Sequence, residues 1–167
     1  MVDAVAQARE RRHLIERIGA HVPGFRGYLE RELRREMDQN LRAALASRLD
    51  VARARVNDHV KRMPLHASGE LQRLASVEKG LDAAANALRH AGSGYAGLFD
   101  AVKVRDEELD ALYRWDLDMV LAVDALGEHV SALDESAGSV TTLEQSVKAV
   151  RSLIDGRAGV VSAAFEA

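Results

Sequence analysis

Between Arg26 and Met63 the apolar positions Leu29, Leu33, Met37, Leu41, Leu45, Leu49, Ala52, Val56, Val60 and Met63 form one stripe, with no proline and no glycine after Gly27. Their mean spacing exceeds 3.6 residues. Such a stripe drifts around a helix, so different neighbours are expected to cover its two ends. At 1.5 Å per residue the helix would be about 55 Å long, several times the average. A rod of that length needs partners along it.

The same periodicity, with turn residues between, divides the rest. A first helix is expected over 3–20, ending at Val22-Pro23-Gly24, and Pro64 stops the long helix spanning 26–63. A third helix covers 69–91 with Ser68 as its N-cap, showing Leu71, Leu74, Leu81 and Leu88 on one side. A fourth, 105–134, opens on Asp106, Glu107 and Glu108, where carboxylates suit the helix dipole. Its seam of Leu109, Leu112, Asp116, Met119, Val123, Leu126, Val130 and Leu133 alternates in steps of three and four. A fifth, 141–155, is read from Thr141 and Glu144 in capping-box spacing, with Gly156 ending it and 156–167 left as a tail whose Val160, Val161 and Phe165 can dock.

These elements predict an all-α protein. It is expected to be an elongated up-and-down helical bundle of four to five helices, one very long, in a single domain over 1–167. The unequal lengths leave part of the rod uncovered, and a second copy would cover it most simply, so a homo-oligomer is expected. Composition agrees on the fold class: the 167 residues are 47% hydrophobic, rich in alanine, with two prolines and only seven aromatic residues.

Charge changes the picture more. Met1 to Pro64 carries 14 Lys and Arg against 9 Asp and Glu, while Leu65 to Ala167 carries 9 against 17. The simplest reading is a basic long helix packed on acidic later helices. A basic surface for an anionic membrane is the alternative. Six acids within the long helix dilute any uniform patch and disfavour nucleic acid. With no cysteine there is no disulfide framework, thiolate nucleophile or cysteine-ligated metal. The charged N-terminus lacks the apolar core of a signal peptide, and the most apolar run, 117–126, is too short to span a bilayer. A cytoplasmic location is expected.

Candidate chemistry is sparse. Gly92-Ser93-Gly94-Tyr95-Ala96-Gly97 fits G-x-G-x-x-G, but a helix precedes it where a dinucleotide site needs a strand, so a helix end and turn explain it better. Glu10-Arg11-Arg12-His13 has Glu-x-x-His spacing, yet a diiron bundle needs the motif twice and no second copy exists. No metal or cofactor is assigned, and no catalytic residue.

Asp116 stands out as a carboxylate in an apolar seam, where burial without a partner is costly. Arg34 and Arg35, in the dense charge cluster 30–38, are the expected partners in a structural ion pair. Phe25, Tyr28, Tyr95, Phe99, Tyr113 and Trp115 gather around two loops and the adjoining helix starts. They would form either a local minicore or a docking patch for another protein.

Two segments carry a resemblance as well. Val22-Pro23-Gly24-Phe25-Arg26-Gly27-Tyr28, leading into Glu32-Leu33-Arg34-Arg35-Glu36-Met37-Asp38, is one; Gly94-Tyr95-Ala96-Gly97-Leu98-Phe99-Asp100-Ala101-Val102-Lys103-Val104, continuing through Leu112-Tyr113-Arg114-Trp115-Asp116, is the other. Together they resemble an uncharacterised bacterial family of small all-helical proteins, over roughly Gly19 to Leu133. The resemblance implies a companion of envelope-associated scaffold proteins and transfers no catalytic residue. The functional expectation is a non-enzymatic scaffold or adaptor working by protein-protein contact and self-association. The alternatives are a peripheral membrane-surface protein in envelope stress, or a metal- or nucleotide-binding bundle.

Overall fold

The computed structural model describes residues 4–64, 66–92, 96–101, 103–134 and 136–165. Five α-helices account for most of them: α1 (Ala4–His21), α2 (Arg34–Val60), α3 (Ser68–His90), α4 (Asp106–Ser131) and α5 (Ala137–Phe165), with short 3₁₀ turns at Arg31–Leu33 and Ala96–Asp100. The protein is an all-α helical bundle, and no helix among the described residues is long and apolar enough to cross a membrane.

Four helices stand at the corners of a square. Arg42 meets Leu88, Arg53 meets Asp82 and Asn57 meets Glu78, so α2 and α3 run in opposite senses. Trp115 meets Leu153 and His129 meets Ser146, which sets α4 against α5 in the same way. Arg48 with Asp124 and Arg55 with Ser131 place α2 beside α4 in the same sense, and Arg73 with Glu144 does so for α3 and α5. Consequently α2 and α5 lie on one diagonal and α3 and α4 on the other. The chain crosses the bundle end between α3 and α4. The α1 helix lies outside the square along α4, anchored by Leu14 and Ile18 and clamped by Arg11 on Asp106 and Asp110. Basic early helices thus meet acidic later ones through specific pairs.

The seam positions of α4 from Leu109 to Val130 are all buried, as are Met37 to Val56 of the α2 stripe. The start of the long helix differs from the sequence reading. Gly24 and Gly27 adopt φ of 83° and 88°, in the left-handed region, and the chain from Val22 to Glu30 is irregular. A Cβ on Gly27 would lie 2.7 Å from the Tyr113 hydroxyl. Burying Tyr28 against Tyr113 displaces eight residues of helix. Leu29 is left exposed, outside the stripe it was assigned to.

Two helix starts also differ. Ser68 makes no capping bond; it is the first residue of α3, after Ala67. The α5 helix begins four residues before Thr141, where Ser136 Oγ accepts the Ser139 amide at 3.2 Å and the Ser139 hydroxyl accepts the Asp134 amide.

The largest difference is at the other end of α5. Gly156 does not end this helix, which runs nine residues further and buries Arg157, Val161, Ala164 and Phe165. Glycine costs a helix only about 1 kcal/mol, which tertiary packing outweighs. Gly156 serves a close approach instead: a Cβ there would lie 2.6 Å from Cζ2 of Trp115, whose indole N–H donates to the Leu153 carbonyl at 2.9 Å. Gly159, three residues on, faces open space. Gly159→Ala should therefore stabilise the protein by roughly 0.5–1 kcal/mol, whereas Gly156→Ala should destabilise it by about 1–2 kcal/mol and alter Trp115 fluorescence. Urea melts read the signs; a neutral Gly159→Ala would contradict a continuous helix.

Candidate functional site

The polar centre of the molecule lies at the end of the bundle where α2 and α4 begin and α3 and α5 finish. Three of the helices contribute because polar residues interrupt their apolar faces there. On α2, Asp38 and Arg42 occupy one face four residues apart, and Arg42 Nε donates to Asp38 Oδ2 at 2.8 Å. On α4, Asp116 replaces an apolar residue in the seam. On α5, Arg157 continues the stripe of Val150 and Ile154 toward Val161.

Arg157 joins these pieces. Its Nη1 donates to Asp38 Oδ1 at 2.6 Å across the diagonal, while Nε and Nη2 form a two-pronged contact with Asp116 at 2.7 and 3.2 Å. The Tyr28 hydroxyl donates to Asp116 Oδ2 at 2.7 Å and accepts from Arg157 Nη2 at 3.0 Å. Arg157 is 2% exposed and Asp116 0%. Two guanidinium groups and two carboxylates thus form a neutral, hydrogen-bonded set, the arrangement that makes buried charge tolerable.

The expected partners of Asp116 go elsewhere. Arg34 is buried, but its Nε donates to the Tyr28 carbonyl at 2.8 Å and its Nη1 to the Ala101 carbonyl at 2.8 Å, with the guanidinium 5.0 Å from the centre of the Phe165 ring. It ties the two loops to the end of α5. Burial, followed by the nearby charge of Arg31, lowers its pKa. Arg35 lies on the surface and pairs with Asp100. The physical reason for the correction is the continuation of α5, which delivers Arg157 to the seam first.

The aromatic cluster is an interior. Tyr28 is its hub, stacked on Tyr113 at 5.5 Å and 11°, edge-on to Phe25 at 5.4 Å and to Phe165 at 6.5 Å, and 6.0 Å from Phe99. The Tyr28 amide donates to the Tyr113 hydroxyl at 2.6 Å. Phe25, Tyr28, Phe99 and Tyr113 are buried, so these four form an interior minicore; Trp115 is half-buried and Tyr95 lies outside the described residues. Burial and then the Asp116 charge raise the Tyr28 pKa well above its ordinary value, and burial pushes Tyr113 up to about 12.

This arrangement holds four helices and two loops in one register. None of the described cavities is lined by Asp38, Asp116 or Arg157, all three of which are buried. The weaker motifs resolve similarly. A Cβ on Gly92 would lie 2.3 Å from Arg42 Nη2, and the space admits that guanidinium to the Leu88 carbonyl at 2.8 Å. Gly94 lies outside the described residues. Glu10 accepts a bond from Arg114, and no three His, Asp or Glu side chains among the described residues converge as metal ligands.

Arg157, Asp38 and Arg42 are the site residues that sequence reasoning missed. The signal for Arg157 was present in the unbroken three-and-four spacing Val150, Ile154, Arg157, Val161 and Phe165. Comparisons with protein-family models, curated proteins and solved structures give no match.

Proposed function

We propose that this chain is a non-enzymatic helical adaptor that acts through protein-protein contact. The supporting observation is that its interior charges and aromatic rings bind one another. The largest described opening is a groove of about 720 Å³ between α2 and α4, floored by Ala52, Val123 and Gly127. That groove joins small apolar residues to charged edges, and its Asp124 is already paired with Arg48 at 2.7 Å, so it suits a partner's side chains better than chemistry.

Self-association was expected from one uncovered rod. The four corner helices have 27, 23, 26 and 29 residues, so the length mismatch that argued for self-association is small, and contact with another protein is the reading put forward. Several N-terminal arginines are taken up by Asp82, Asp100, Asp106, Asp110 and Asp124, which weakens the membrane alternative. The test is gentle affinity capture of the tagged chain from its native host with quantitative mass spectrometry. A single partner at constant stoichiometry is expected. Capture of lipid alone, or of no partner, would overturn the reading.

A further inference from the structure

Along the first part of α4, α1 runs in the same sense and answers nearby charges of that helix. Arg11 pairs with Asp106 and Asp110, Glu10 with Arg114, and His21 with Asp124. Where α1 stops, Arg48 of α2 donates to its last carbonyl, that of His21. A helix in this position buries a short apolar edge, here Leu14 and Ile18, and matches the charges beside it.

The groove between α2 and α4 begins at that point and is open. From Asp124 to Ala132 it extends about 12 Å, roughly two helical turns. Val51, 50% exposed, stands on its wall. Its edges carry charges of opposite sign that no charged group answers. Arg55 on α2 reaches only the neutral Ser131 hydroxyl, at 3.0 Å, and Glu128 on α4 has no cation partner among the described residues.

We propose that this open groove binds an amphipathic helix of a partner protein, lying in line with α1. It would present small apolar residues to Ala52 and Gly127, a carboxylate to Arg55 and a cation to Glu128. This is the helix-in-groove mode, with the charged edges selecting orientation. A second copy of the chain offers no stripe of large apolar side chains: among the described residues the exposed ones are Val5, Leu29, Val51 and Leu121, which share no helical stripe. The inference rests on the adaptor reading and adds the surface and the kind of partner.

The probe is a fluorescein-labelled, lactam-stapled peptide of about 14 residues, with Ala and Leu at i, i+3, i+4 and i+7, glutamates on one flank and arginines on the other. A second peptide exchanges the flanks. Fluorescence anisotropy with the full chain should show saturable binding of the peptide whose glutamates face α2, about tenfold tighter than the exchanged peptide. Gly127→Trp should abolish binding and remain folded, because a Cβ at Gly127 meets nothing within 4 Å. Val51→Glu, at an exposed position, should weaken it about tenfold. Absence of saturable binding, equal affinity for both peptides, or binding unchanged by Gly127→Trp would overturn the proposal. So would a wild-type dimer in sedimentation that Gly127→Trp dissociates, because the occupant would then be a second copy. If tagged Gly127→Trp captures the same host partner as wild type, the groove proposal fails while the adaptor reading stands; if wild type captures none, the adaptor reading itself fails.

Discussion

Asp116→Ala is expected to destabilise the protein by about 3–5 kcal/mol, among the largest effects of any single substitution in this chain. The cost arises less from the lost attraction than from what remains. Arg157 would keep its bonds to Asp38 and Tyr28 but lose the carboxylate that its Nε and Nη2 contact, at 2% exposure. Removing one carboxylate from a buried charge set costs far more than removing the pair together. For a chain of this length that change corresponds to a melting temperature lower by roughly 10 °C or more.

The same reasoning predicts how the loss is recovered. In Asp116→Leu/Arg157→Met one charge of each sign leaves together, and Asp38 retains Arg42 at 2.8 Å. The double variant should recover most of the stability lost in Asp116→Ala, with a coupling energy above about 2 kcal/mol in a double-mutant cycle. Pairing Asp116→Ala with Arg35→Ala should instead be additive within about 0.5 kcal/mol. A coupling to Arg35 as large as that to Arg157 would refute the assigned network.

What the sequence revealed follows from which forces are local. Periodicity located the five helices and the α4 seam because burial on one face writes itself into spacing at three and four residues. Asp116 was legible as a buried carboxylate for the same reason. Its partner was not. Arg157 lies 41 positions away, beyond Gly156, and that glycine reads as a stop unless the Trp115 ring packed against it is already known. Arg34 was expected to pair with Asp116, yet its acceptors are backbone carbonyls of Tyr28 and Ala101, which no side-chain pattern records. The irregular turn before α2 was hidden similarly: Gly27 announces a possible break, but only Tyr113 gives the reason for one. The opposite signs of charge on the two halves of the chain became individual pairs, such as Arg48 with Asp124.

Alkaline pH should expose the second large effect. Tyr113 and Tyr28 are buried and neutral, with pKa values raised in the folded state, Tyr113 to about 12 and Tyr28 well above the ordinary value. In the unfolded chain both ionise near 10. A group whose folded pKa is the higher contributes stability that is complete below the unfolded value and disappears as pH rises through the folded one. The urea midpoint should therefore be nearly flat from pH 7 to about 9.5 and fall steeply between about 10 and 12. Tyr113 alone accounts for about 2.7 kcal/mol across its two pH units. Burial opposes the Arg157 charge, but Asp116 leads the groups that raise its pKa well above the ordinary value, so Arg157 keeps its charge in this window. The described lysine pair, Lys61 with Asp58, is exposed and contributes little. The decline is thus a tyrosine signal, and Tyr113→Phe should make it shallower. Tyrosinate absorbance near 295 nm supplies the independent check: two of the three tyrosines should ionise only as the protein unfolds. Reversible titration of all three near pH 10 with the fold intact would contradict the buried, hydrogen-bonded tyrosine pair.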